Sequence, residues 1–252
     1  MSQALVMVVT GEGRGIVAIN YLHNHAAAEE VAGYIRQQNG QAVTIQADIS
    51  QETDVLSLFQ LVDAQLGRVS ALVNNAGTLE RQARLDEMDA TRIERIFAVN
   101  VVGQMICARE AVKRMSTRHG GGGGAIVNVS SGAAKYGSPG EYVDYAASKG
   151  AVETFTVGLA SEVAEEGIRV NAVRPGFIYT EFHAKGGEPA RVDRGKGSGA
   201  HAAGRSTGRG RKRDSVASVR GGVVRYGHCY RCVRREVAVV GGTLPAAKRS
   251  RT

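Results

Sequence analysis

The 252-residue chain is predicted to be an α/β protein: a doubly wound parallel sheet, incomplete at its first crossover and at its C-terminus. Three observations carry this. Over residues 1–194, short β-branched runs alternate with longer stretches of helical periodicity, the pattern of βαβ units. The first run, residues 4–9 (ALVMVV), is apolar throughout, as a strand buried on both faces must be. Unusual polar residues also recur just after strand ends, where open α/β sheets bind their ligands.

The elements follow in order. After residues 4–9 comes a second short run at 17–21 (VAINY), then a helix over 26–39 stopped by Gly40. Residues 42–47 (AVTIQA) read as a strand. Residues 52–66 carry Val55, Leu58, Phe59 and Val62 at helical spacing. Residues 69–73 form a strand ending in Asn74-Asn75-Ala76-Gly77, and one long helical pattern runs over 89–118. The glycine run 120–124 is a flexible turn into the strand 125–129. Residues 141–166 are helical, and the strand 168–173 meets Pro175-Gly176.

Composition divides the chain. Its net charge is +8, with 43% hydrophobic and 22% charged residues, enough for a sizeable core. Residues 195–252 hold 14 Lys and Arg against 2 Asp and Glu, a charge of +12, whereas residues 1–194 carry 18 against 22, a charge of −4. All five Phe and all five Met precede residue 195; beyond it Leu244 is the sole Leu and Ile is absent. The expected organisation is therefore an acidic globular body over 1–194 and a basic, disordered tail over 195–252. Three cysteines argue against a disulfide scaffold. No apolar run is long enough to span a membrane, and residues 4–9 lack the preceding basic residue of a secretory signal, so the expected location is cytoplasmic. Cys229-x2-Cys232 beside His228 is half of a zinc motif without its second half, and no metal is expected. Cys107 reads as ordinary core.

Chemistry gathers at the strand ends. The segment Thr10-Gly11-Glu12-Gly13-Arg14-Gly15-Ile16 follows the first strand, where glycines let the backbone approach a pyrophosphate. Alone, it reads equally well as a tight turn. Tyr145 and Lys149 stand at i and i+4 on a helix, so phenol and ammonium share one face. A tyrosine with the ordinary pKa of about 10 is a poor acid or base near neutrality. A neighbouring ammonium favours the phenolate and lowers that value. Alone, this pair reads more readily as a solvated helix face. The context weighs against that: the strand 126–129 ends at Ser130-Ser131, 14 residues before Tyr145, while Asp48 and Asn74-Asn75 sit beyond other strand ends. Asn100 falls mid-helix, where Asn needs a reason to be.

Over residues 4–190 this set, TGxxxGI, NNAG, Ser-Ser, YxxxK and PG with a downstream Thr, resembles the short-chain dehydrogenase/reductase family, with a Rossmann-like fold. The resemblance implies that Tyr145 is the general acid/base and that Lys149 lowers its pKa while holding the nicotinamide ribose. It implies that Ser131, not Ser130, hydrogen-bonds the substrate oxygen, and that Asn100 holds a water in a proton relay. Gly11, Arg14, Gly15 and Ile16 match the cofactor loop, and Asp48 and Ile49 the adenine contacts. Asn75, Ala76 and Gly77 match the strand lining the cofactor; Pro175, Gly176, Ile178 and Thr180 match the nicotinamide end. The second strand ends Asn20-Tyr21 with no carboxylate to repel a 2′-phosphate, and Arg14 could bind one, so NADP(H) is expected over NAD(H). The polar stretch before Tyr145 suits a small alcohol or carbonyl substrate, a sugar or a 3-oxoacyl thioester.

Two departures qualify the resemblance. Seven residues, 10–16, separate the first strand from residues 17–21, but a parallel crossover needs about 10–12. The family's third glycine and first helix are absent, which puts the parallel pairing of these strands and the affinity for cofactor in question. The tail replaces an apolar helix and strand that would extend the core, and this argues against the family's usual homotetramer. A slipped reading frame near residue 194 explains the tail best, ahead of a basic nucleic-acid arm or a solvated extension. The alternatives to an active oxidoreductase are thus an inactive family-derived product and a basic-tailed nucleic-acid binder.

Overall fold

The computed structural model describes residues 6–10, 16–175 and 222–224. Seven strands form one sheet in the order β3-β2-β1-β4-β5-β6-β7. They are β1 (Val6–Thr10), β2 (Ile16–Tyr21), β3 (Gln41–Gln46), β4 (Val69–Asn74), β5 (Gly124–Val129), β6 (Ile168–Val173) and β7 (Gly222–Val224). The helices are α1 (His25–Gln37), α2 (Glu52–Leu66), α3 (Ala90–Phe97), α4 (Gln104–Met115), α5 (Ala133–Tyr136) and α6 (Val143–Glu162).

Burial alternates along the strands and assigns the helices to faces. Val17 and Ile19 of β2 pack with Ala28 and Ala32 of α1 on one side of the sheet. Ala18 points the other way, into the main core with Val55, Leu58, Phe59 and Val62 of α2 and Cys107, Ala108, Ala111 and Met115 of α4. Phe155 and Leu159 of α6 complete that layer. Leu72, Ile126 and Val170 are all but inaccessible on this face. Their sheet neighbours Val73, Val127 and Asn171 remain half-exposed on the face of α1. α1 covers only β2 and β3 there, and no other described helix extends that layer.

The parallel sheet is interrupted at β1, which runs antiparallel to both β2 and β4. Thr10 pairs with Ile16, so five residues link the two strands. A link that short can turn a chain back on itself but cannot carry it across the sheet for a parallel return. The doubly wound expectation therefore needs correcting at this one strand, and the missing crossover is the cause. Every other pairing is parallel.

The helix expected over 89–118 is divided: α3 passes through a π-helical turn, Ala98–Gly103, into α4. A widened turn accommodates an inward-pointing polar side chain, and such turns are frequent at functional sites. Gly103 ends this turn, where a Cβ would lie 2.5 Å from the Ile49 carbonyl oxygen. The helix approaches the loop after β3 so closely that only glycine fits. Within the tail expected to be disordered, residues 222–224 form β7 against β6; the rest of 195–252 lies outside the described residues, as do His228, Cys229 and Cys232.

Candidate active site

Parallel alignment brings the ends of β4, β5 and β6 to one edge of the sheet, and the candidate catalytic residues collect there. Lys149, on α6, is 3% exposed, and its Nζ donates to the Val129 carbonyl at the end of β5, 2.8 Å away. Burial pulls its pKa down from 10.5 to about 8, because charge is costly to hold in a low dielectric. Tyr145, one turn earlier and half-buried, has its ring centre 5.8 Å from the Lys149 ammonium. The i, i+4 pairing expected from the sequence is thus made.

The two serines separate by environment. Ser130 is 3% exposed, and its hydroxyl donates to Glu153 Oε1 at 2.7 Å. Ser131 is half-buried, and its Oγ accepts from the Ala133 amide at 3.2 Å, leaving the hydroxyl proton to point elsewhere. Asn100 is fully buried inside the π-turn. Its Nδ2 donates to Thr78 O at 2.9 Å and to Ser148 Oγ at 3.0 Å. Ser148 in turn donates to the Tyr145 carbonyl at 2.7 Å, which ties the π-turn to the helix turn that bears the phenol.

Gly77 lies against this group: a Cβ there would be 3.4 Å from Lys149 Nζ and 3.3 Å from Asn100 Oδ1. Glycine leaves no side chain between this loop and the ammonium. Ala76 is buried and Asn75 exposed. Asp48 Oδ1 accepts from both the amide and the hydroxyl of Ser50, forming a turn after β3, and Ile49 is core, 2% exposed. Asn20 is 1% exposed; its Nδ2 donates to Ala47 O at 2.9 Å, while its Oδ1 is a buried acceptor without a partner. Pro175 accepts from the Gly132 amide. Gly176, Ile178 and Thr180 lie outside the described residues.

Gly11, Arg14 and Gly15 lie outside the described residues, but their flanks do not. Thr10 and Ile16 pair with each other, and Thr10 pairs with Val69, the first residue of β4. Lys149 and Tyr145 belong to the other end of β4, near Asn74, about 16 Å away at 3.3 Å per residue. Ile16 therefore lies at the edge opposite the catalytic residues, and reversal of β1 is the physical reason. The buried ammonium beside a phenol at the Asn74 end fits the ribose of a dinucleotide; Ile16 is not part of that group.

Three features escaped sequence reading. Asn74 at the end of β4 donates to Asn128 Oδ1 at 2.9 Å and to Gln104 O at 3.1 Å, and Asn128 donates to Thr156 Oγ1. Asn74 and Asn128 are register partners in adjacent strands. Paired asparagines within otherwise apolar strands were the available signal. Arg92 of α3 reaches Asp144, beside Tyr145, at 2.7 Å, a contact across 52 residues that no local pattern announces. The Glu153–Arg174 ion pair is equally non-local. Among the described residues, no cluster of His, Cys, Asp and Glu is placed to hold a metal, and no helix is long and apolar enough to cross a membrane.

Comparison with known proteins agrees with this geometry. The short chain dehydrogenase family model matches residues 3–190 and stops short of the basic tail. The chain is 54% identical to the uncharacterized oxidoreductase YgfF of Escherichia coli (strain K12) over 205 residues, covering 76% of this chain and 83% of that one. It is 33% identical to a 3-oxoacyl-[acyl-carrier-protein] reductase of Synechocystis over 193 residues, 71% of this chain and 76% of that one. Among solved structures, a dehydrogenase/reductase from Sinorhizobium meliloti 1021 superposes with a TM-score of 0.61 at 26% identity, covering 70% of this chain and 67% of that one. With its largely parallel sheet, its buried lysine beside a tyrosine and a match over most of its length, the chain belongs to the short-chain dehydrogenase/reductase family of NAD(P)-dependent oxidoreductases.

Proposed function

We propose that residues 1–194 form an NADP(H)-dependent oxidoreductase that interconverts a carbonyl and a secondary alcohol on a small polar substrate of the sugar or 3-oxoacyl type. The observation that carries this reading is the buried Lys149 ammonium one helical turn from the Tyr145 ring. Its charge favours the phenolate, so the Tyr145 hydroxyl can give a proton to the substrate oxygen, or take one from it, near neutral pH. Ser131 hydrogen-bonds the same oxygen and holds it for that transfer. Bound NADP(H) supplies or accepts the hydride. Lys149 and Tyr145 would hold its nicotinamide ribose, with Asn75, Ala76, Gly77 and Pro175 alongside and Asp48 and Ile49 towards the adenine. The choice of NADP(H) over NAD(H) rests on β2, which ends Asn20-Tyr21 and offers no carboxylate to a ribose 2′-hydroxyl.

The test is reduction of acetoacetyl-N-acetylcysteamine, a 3-oxoacyl thioester, followed by NADPH absorbance. Tyr145→Phe is expected to lower kcat by about 10²–10⁴-fold; undiminished turnover would overturn the reading. The reversed β1 supports a second reading, a family-derived chain with its chemistry intact and its grip on the cofactor lost. NADPH titration of the unaltered chain separates the two.

A further inference from the structure

One carboxylate outside the catalytic set joins α6 to the ends of β5 and β6. Glu153 follows Lys149 by one turn on α6. Its Oε1 accepts from Ser130 Oγ at 2.7 Å, at the end of β5. The guanidinium of Arg174, the residue after β6 and before Pro175, grips the same carboxylate with two donors: Nε to Oε1 and Nη2 to Oε2. The pair is mostly shielded, with side-chain exposures of 22% for Arg174 and 14% for Glu153. Burial pushes the Glu153 pKa up, but the hydrogen bonds from Arg174 and Ser130 outweigh it and leave the group below its ordinary value, a stable anion.

The two strand ends are also stitched directly. The Ser130 amide donates to Val173 O at 2.8 Å, and the Gly132 amide to Pro175 O at 3.2 Å. Ser131 lies between these two amides. Val129, whose carbonyl receives Lys149 Nζ, immediately precedes them. A planar guanidinium meeting a carboxylate at two points fixes orientation as well as distance, which a single ammonium cannot do.

We propose that Glu153 and Arg174 are positioning residues: their ion pair locks the ends of β5 and β6 to α6 and so sets Ser131 against Tyr145 and Lys149. The catalytic part of this proposal rests on the oxidoreductase reading above; the mechanical part does not. A reacting group displaced by about 1 Å can cost on the order of a hundredfold in rate. The pair therefore acts on kcat more than on cofactor affinity.

The experiment compares the full chain with Arg174→Met, Arg174→Lys and Glu153→Gln. Two readouts are taken well below each variant's Tm: hydrogen exchange at the Ser130 and Gly132 amides, and kcat and KM with NADPH and acetoacetyl-N-acetylcysteamine. Arg174→Met is expected to speed exchange at both amides about tenfold while exchange in α2 is unchanged, and to lower kcat about ten- to a hundredfold with KM for NADPH little altered. Arg174→Lys, which keeps the charge and loses the fork, should fall between. Glu153→Gln keeps an acceptor for Ser130 and so keeps the fold if Arg174→Met does not. A lower Tm with wild-type exchange at Ser130 and Gly132 and wild-type kcat would show a merely structural pair and overturn the proposal. If the unaltered chain and Tyr145→Phe are equally inactive, the oxidoreductase reading fails, and the exchange data alone decide whether the clamp exists.

Discussion

The side-chain amide of Asn100 pairs with both backbone groups of Thr78: its Oδ1 accepts from the Thr78 amide at 2.7 Å and its Nδ2 donates to the Thr78 carbonyl at 2.9 Å. A fully buried side chain thus replaces a strand partner for the loop that leaves β4 and fixes Gly77 beside Lys149. Asn100→Ala removes the side-chain partner of both Thr78 backbone groups in a buried setting, while the Ser148 hydroxyl keeps its donation to the Tyr145 carbonyl. Each orphaned buried group costs about 1–3 kcal/mol, so Tm should fall by several degrees. An unchanged Tm would show that the loop finds other partners.

Lys149 makes stability pH-dependent with a definite sign. Its folded pKa is about 8 against 10.5 for the free group, so between these values the unfolded chain binds more protons and stability rises with pH. Below about pH 8 the full cost of the buried ammonium is present. Urea midpoints of the unaltered chain should therefore climb relative to those of Lys149→Met between pH 8 and 10, and a falling difference would contradict the desolvated environment.

Reversal of β1 is tested through cofactor affinity. On the second reading, in which the grip on the cofactor is lost, NADPH binds the unaltered chain only in the millimolar range by thermal shift, and Arg14→Ala leaves that affinity unchanged. Insertion of about 12 helix-forming residues between Gly15 and Ile16 provides a crossover of sufficient length. It should tighten binding at least about tenfold and make it sensitive to Arg14→Ala. Micromolar binding by the unaltered chain, lost on Arg14→Ala, would refute this.

At Gly103 an added methyl collides with the Ile49 backbone at 2.5 Å. Gly103→Ala should destabilise by about 1–3 kcal/mol, as overpacking does, measured by urea unfolding. Gly33→Ala on α1, where a Cβ meets nothing within 4 Å, should be neutral or stabilising by up to about 1 kcal/mol.

Arg92 and Asp144 form a nearly dry ion pair, with Asp144 only 1% exposed. Arg92→Met leaves that carboxylate uncompensated and should cost about 3–5 kcal/mol, whereas Arg92→Met with Asp144→Asn should cost less than the single change. Additive losses would mean that the two side chains do not interact.

Most of the candidate site was legible because its signals are local. The Tyr145–Lys149 spacing is a property of one helix, and strand-terminal polar residues such as Ser131 and Asn75 interrupt apolar runs. The anomaly at Asn100 was also visible, but its reading as a mid-helix residue missed the π-turn, since helical periodicity alone does not report a local widening of one turn. What stayed hidden joins distant segments: Asn74 to Asn128, Arg92 to Asp144, Glu153 to Arg174. Each of these residues is individually an ordinary polar side chain, and its partner is chosen by strand register and helix packing.

By itself, then, the sequence determined the alternation of strands and helices, the family, the helix that pairs Tyr145 with Lys149 and the foreign composition of residues 195–252, because hydrophobic period and short motifs are written within single elements. The shortness of the link after Thr10 was enough to put a parallel return in question. Only the tertiary structure decided where that strand goes. It keeps its place between β2 and β4, since the hydrogen bonds of a central position can be made in either direction. The cost is that β1 ends at Thr10 beside Val69, at the edge away from Lys149.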